Sequence, residues 1–153
     1  MTETPNPHIV DADSLTGEMH PIRRVVVALG SNLGERLASL QGAVDALADT
    51  PDFFVTGVSP VYETEPVDSP DGSGPYLNAV LLADTTLPAA RLMERALAVY
   101  RDLGGTELFL ESSAKLAPAL KLYESVGFVH HPAPRPGSHY ARADVYMVWE
   151  PPR

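Results

Sequence analysis

A chain of 153 residues is long enough for one domain with a sizeable core, burying about 70% of the surface its unfolded form exposes. It has no cysteine, which excludes disulfides, thiolate metal sites and cysteine nucleophiles and fits a reducing compartment. The formal charge of −9 repels phosphate backbones and anionic membranes, and no run approaches the ~20 apolar residues of a membrane span. A cytoplasmic protein with neither nucleic acid nor membrane as partner is therefore expected, and no pattern fixes an oligomeric state.

Residues 1–22 are polar, acidic and broken by Pro5, Pro7 and Pro21, and read as a disordered tail. Arg24 to Leu29 (RVVVAL) predicts a buried strand ending at Gly30. Leu33, Leu37, Leu40, Val44 and Leu47 then recur at helical spacing, with Ser31 or Asn32 available as cap. Phe53 to Val58 predicts a second strand, and the proline-rich stretch Ser59 to Pro75 a long loop.

Tyr76 to Asp84 predicts a third strand, followed by a helix opened by Thr86 and Pro88, lined by Leu92, Ala96, Val99 and Leu103 and closed by Gly104-Gly105. Glu107 to Ser112 predicts a fourth strand. The order βαββαβ is that of a ferredoxin-like α+β fold, an antiparallel sheet with both helices on one face. An added helix from Leu116 to Val126, a proline-rich loop from His130 to Gly137 and a strand from Asp144 to Glu150 follow.

Gly30-Ser31-Asn32-Leu33-Gly34 lies between strand and helix, where backbone N–H groups can face an anion, but it matches neither a Walker loop nor a dinucleotide fingerprint, and a capped turn is the plainer reading. Tyr76 and Asn78 are two apart on a strand and share one face, where a ring and a carboxamide suit a flat heterocycle, or are simply a packed Tyr and a solvated Asn. His130, His131 and His139 fall in a loop with no aligned carboxylate and do not read as a metal site.

Taken together, VALGSNLGERLASLQGAVDAL, SPVYETEPV and PYLNAVLLADTTLPAARLMERAL resemble the N-terminal half of the 6-hydroxymethyl-7,8-dihydropterin pyrophosphokinases of folate biosynthesis, over residues 24–99. The resemblance implies a ferredoxin-like fold and transfer of pyrophosphate from Mg-ATP to the pterin hydroxymethyl group, with AMP leaving. It further implies a pterin pocket in which Thr64 and Val67 offer backbone hydrogen bonds, Pro66 shapes the wall, Tyr76 stacks on the ring, Asn78 bonds its edge and Asn32 lies beside Tyr76.

The family's donor half departs from this sequence. Tyr100 stands where the family has a glutamate, the arginine-rich loop shrinks to Gly104-Gly105-Thr106, and the Asp-x-Asp magnesium pair has no counterpart. Glu107 and Glu111, four apart, are the remaining candidates for metal ligands. Transfer is expected to be impaired, because charge on the migrating group needs fixed cations.

Residues 101–147, with LFLESSAKLAPALKLYESVGF and YARADVYM, resemble the C-terminal end of GNAT-type N-acetyltransferases, in which Tyr123 would match a general acid. That family's Gln/Arg-x-x-Gly-x-Gly/Ala cradle does not occur, and helix packing is the alternative role for Tyr123. The resulting division is a tail at 1–22, a pyrophosphokinase-like part at 23–104 and a GNAT-like segment at 105–153 in the same domain. The expected hybrid keeps its sheet, the new fourth strand filling the slot of the metal-bearing one. Three readings stand: a pterin pyrophosphokinase-like protein, a non-catalytic pterin-binding hybrid or remnant, and an acetyltransferase.

Overall fold

The computed structural model describes residues 20–67 and 72–151; most of the expected tail and part of the loop before Tyr76 lie outside them. The described elements are β1 (Arg23–Ser31), α1 (Arg36–Ala48), β2 (Phe53–Val58), β3 (Tyr62–Thr64), β4 (Tyr76–Thr85), α2 (Ala89–Asp102), β5 (Phe109–Ser112), α3 (Ala117–Ser125), β6 (Phe128–His131) and β7 (Val145–Trp149). They form a mixed α/β fold with two antiparallel sheets and three helices.

In the first sheet β4 is central. β1 pairs along one edge from Arg23↔Thr85 to Ser31↔Leu77, while β2 and β3 share the other edge end to end. Ser59 splices the two, its N–H donating to Val80 O and its hydroxyl accepting from Val80 N–H, each at 2.8 Å. Strand alternation sends Ala79, Leu81, Ala83 and Thr85 to a buried face and Asn78, Val80, Leu82 and Asp84 to the other.

On the buried face Leu81 and Ala83 pack with Phe53 and with Ala43, Leu47 and Val99 of the two helices, while Val25, Val27 and Leu29 of β1 pack around them. Arg95 of α2 ties the helices together, donating from Nε to Thr50 Oγ1 at 2.8 Å and from Nη2 to Ala46 O at 2.9 Å.

The fourth strand expected to complete this sheet is corrected by the structure. β5 pairs with β7, with Leu110 opposite Met147, and β6 takes the other edge of β7, so these strands make a second sheet. The cause is hydrophobic. Val145, Met147 and Trp149 of β7 are all buried, and with Phe128, Val126 and Leu97 they form a second core that draws in Leu108 and Leu110. β1 is thereby an edge strand among the described residues.

Helix α2 serves both cores. Leu92 and Val99 face the first, and Met93, Leu97 and Tyr100 face the second, two apolar stripes rather than the one expected through Leu92, Ala96, Val99 and Leu103. Ala96 and Leu103 are exposed. Pro88 takes the N-cap position in place of Thr86, and Gly104 closes the helix at φ 94°.

Further corrections concern α1. β1 runs on through Ser31, Gly34 turns at φ 56° and Glu35 is the N-cap without a side-chain hydrogen bond, so neither Ser31 nor Asn32 caps the helix. Leu33 and Leu37, in phase with the buried residues by spacing, are 79% and 60% exposed because the helix starts only after this turn, at the sheet's end.

On the exposed face of the first sheet Arg24 and Asp84 pair across β1 and β4, Nε to Oδ1 at 3.0 Å and Nη2 to Oδ2 at 3.3 Å. The hydrogen bond from Arg24 is the main reason the Asp84 carboxyl sits below its ordinary range. With the folded value below the unfolded one, the pair's contribution is complete above about pH 4 and is lost as the pH falls through the folded value. Asp84→Asn is expected to lower the melting temperature slightly at neutral pH, since exposed pairs contribute little, and to leave it unchanged below the folded value, where the pair is already lost.

Candidate functional site

At one end of the first sheet the exposed face changes from apolar to polar. Register places Tyr62 opposite Asn78, Thr64 opposite Tyr76 and Gly30 opposite Asn78, and directly paired residues share a face. The patch is thus built by β1, β3 and β4. Asn78 Nδ2 donates to Thr64 Oγ1 at 2.5 Å, fixing the carboxamide and leaving its oxygen toward Gly30.

Gly30 is the floor. A Cβ there would lie 3.2 Å from Asn78 Oδ1, tight enough to shift the carboxamide by a few tenths of an ångström, and 3.7 Å from the Tyr76 ring, an ordinary contact. Tyr76, Asn78 and Pro66 are half-buried and Val67 is 80% exposed. Asn32 lies just past β1, lining a cleft of about 670 Å³ with Ser31, Leu40, Ala43, Val99 and Tyr100 on the helix side of the sheet.

The structure therefore brings Thr64, Tyr76 and Asn78 together over Gly30, with Asn32 following Ser31, the β1 partner of Leu77, at the same end of the sheet. Sequence reasoning missed Gly30 as a floor, and it missed β3, whose three residues lie among prolines. The pairing with β4 adds Tyr62 to the patch beside Thr64, which the resemblance had already placed there.

The donor side is arranged differently. Tyr100 donates its hydroxyl to Glu107 O, and its ring lies so close to Gly105 that a Cβ there would run into it; the turn after α2 folds down on its own helix. Glu107 precedes β5 and is exposed, whereas the Glu111 side chain is only 6% exposed and bonded to Arg135 Nε at 3.2 Å. The Arg135 guanidinium also stacks 4.4 Å from the centre of the Phe109 ring.

Glu111 Oε1 is buried and makes no hydrogen bond among the described residues, but the cation already at its carboxylate opposes a second one. No group of three or more His, Asp or Glu side chains among the described residues is placed to hold a metal. These residues do not fit a magnesium site. Tyr123 packs edge-on against Phe128 in the second core, ring centres 5.9 Å apart, and His130 is bonded to Glu124 at 2.8 Å.

Fold and patch define a mixed α/β protein that presents a ring and a fixed carboxamide on an open sheet face. The sequence model of the 7,8-dihydro-6-hydroxymethylpterin-pyrophosphokinase family matches residues 26–116, more than half of the chain, and the chain belongs to that family. It is similar to proteins named 2-amino-4-hydroxy-6-hydroxymethyldihydropteridine pyrophosphokinase. That of Pseudomonas aeruginosa is 36% identical over 83 residues, 54% of this chain and 51% of the relative. That of Methylorubrum extorquens is 40% identical over 81 residues, 53% and 51% of the two chains. That of Mycobacterium bovis is 46% identical over 61 residues, 40% and 30% of the two chains. The match thus spans about half or less of these relatives' length. No helix among the described residues is long and apolar enough to cross a membrane.

Proposed function

We propose that this chain serves the acceptor side of the folate-pathway pyrophosphokinase reaction, in which pyrophosphate passes from ATP to 6-hydroxymethyl-7,8-dihydropterin. The pterin lies on the patch, with Tyr76 stacked on the ring, Asn78 and the backbone of Thr64 and Val67 bonding its edge, and Pro66 as the wall. The observation that carries this reading is the Asn78 carboxamide, held by Thr64 over the Gly30 floor beside Tyr76. A flat heterocycle with donors and acceptors along one edge matches that arrangement.

ATP and magnesium are the reaction's other requirements, and the residues available at Tyr100, Glu107 and Glu111 offer them no set that fits. The chain alone is a pterin-binding member of the family without turnover. Mixed with pterin, ATP and magnesium, the purified protein is expected to release no AMP above a control lacking pterin; pterin-dependent AMP would overturn this part of the reading.

The C-terminal strands support a second element of the reading, a hybrid chain whose residues 105–153 are a GNAT-like segment joined to the pyrophosphokinase-like residues 23–104. They form their own sheet with α3 and meet the rest through α2. The place of Tyr123 within the second core favours a packing role for it over acid catalysis. The absence of cysteine and the charge balance suit a cytoplasmic site of action.

A further inference from the structure

The loop that carries Pro66 and Val67 leaves β3 at Thr64 and re-enters the sheet at Tyr76, so its mouth is the pair Thr64↔Tyr76. Loops rich in proline are held by what grips their ends. Here one side chain grips both. Arg36, the first residue of α1, donates from Nη1 to Pro75 O at 2.7 Å and from Nη2 to Glu63 Oε2 at 3.0 Å. Its side chain is 29% exposed, against 58% for Glu63, so the fork is partly withdrawn from water at the helix side.

Each arm lands one residue from a proposed pterin contact, Glu63 beside Thr64 and Pro75 beside Tyr76. Neighbouring strand residues face opposite ways, so the guanidinium holds the hairpin from behind while Thr64, Tyr76 and Asn78 present the other face. The planar fork of arginine fixes two acceptors in one geometry, which a lysine ammonium cannot do.

We propose that Arg36 is a positioning residue, one that sets the spacing of Thr64 and Tyr76 across the loop mouth and so pre-shapes the pterin patch without touching the ligand. This rests on the pterin reading given above. Ordering the mouth before the ligand arrives removes a cost that binding would otherwise carry.

The test uses the full chain and two readouts, affinity for 6-hydroxymethyl-7,8-dihydropterin and amide hydrogen exchange without ligand. Arg36→Met is expected to weaken the pterin about tenfold, the effect of losing one charge-assisted hydrogen bond. Exchange should quicken at residues 62–65 and 76–78 while residues 40–47 keep their protection. Arg36→Lys should recover part of the affinity, which a merely structural loss would not do.

Unchanged affinity and unchanged exchange in Arg36→Met would overturn the proposal. If that variant does not fold, Glu63→Gln weakens a single arm, and the proposal stands or falls on faster exchange at residues 62–65 alone. Should the natural chain bind no pterin, the pterin reading fails by itself, and the exchange data still decide whether Arg36 orders the loop mouth.

Discussion

Leu81→Ala is expected to lower the stability of the whole chain by about 3 to 5 kcal/mol, near the top of the range for a buried leucine. Leu81 is fully buried at the centre of β4, where Phe53, Ala83 and both helices close around it. The informative readout is the single tryptophan, because Trp149 belongs to the other core, its Nε1 donating to Val126 O at 3.0 Å. If α2 couples the cores as its two apolar stripes require, tryptophan fluorescence and far-ultraviolet circular dichroism shift together in denaturant. A tryptophan transition left at its original midpoint would show that the second sheet unfolds independently, against this account.

The second large effect concerns the patch. Tyr76→Ala and Asn78→Ala are each expected to reduce pterin affinity by about ten- to a hundredfold, since each removes a stacking surface or a hydrogen-bonding edge worth about one to three kcal/mol. Asn78→Ala also removes the donor to the Thr64 hydroxyl, so its loss should not be additive with Thr64→Val. Gly30→Val should resemble Asn78→Ala, because the new side chain would push on Asn78 and Tyr76 from below. Variants that bind as the natural chain does would place the ligand elsewhere.

Much of this was legible along the chain. The β-branched run of β1, the alternation of β4 and the glycine pair after α2 each carry local information, and the structure puts those elements close to where pattern and turn chemistry predict them. What failed was choice of partner. Nothing local in Glu107 to Ser112 says whether it joins β1 or β7; the buried stripe of Val145, Met147 and Trp149, more than thirty residues on, decides it. β3 and β6 were hidden for the same reason, being three- and four-residue strands defined by pairing rather than by propensity.

The site divides in the same way. That Tyr76 and Asn78 share one face of a strand was readable from their spacing, while their proposed role at a pterin came from the family resemblance alone. The floor at Gly30 and the fork of Arg36 depend on register and on the angle at which α1 leaves the sheet, neither of which a periodicity contains. Leu33 and Leu37 show the converse, an apolar spacing that continues past the point where there is a core to face.

The central claim is a pterin site in a chain whose donor side is not built for ATP and magnesium. Its most direct test is calorimetric titration of the full chain with 6-hydroxymethyl-7,8-dihydropterin, without nucleotide or metal, beside the Tyr76→Ala variant. The account predicts saturable one-to-one binding by the natural chain and marked weakening in the variant. Absence of binding by a folded natural chain, or equal binding by the variant, would contradict it.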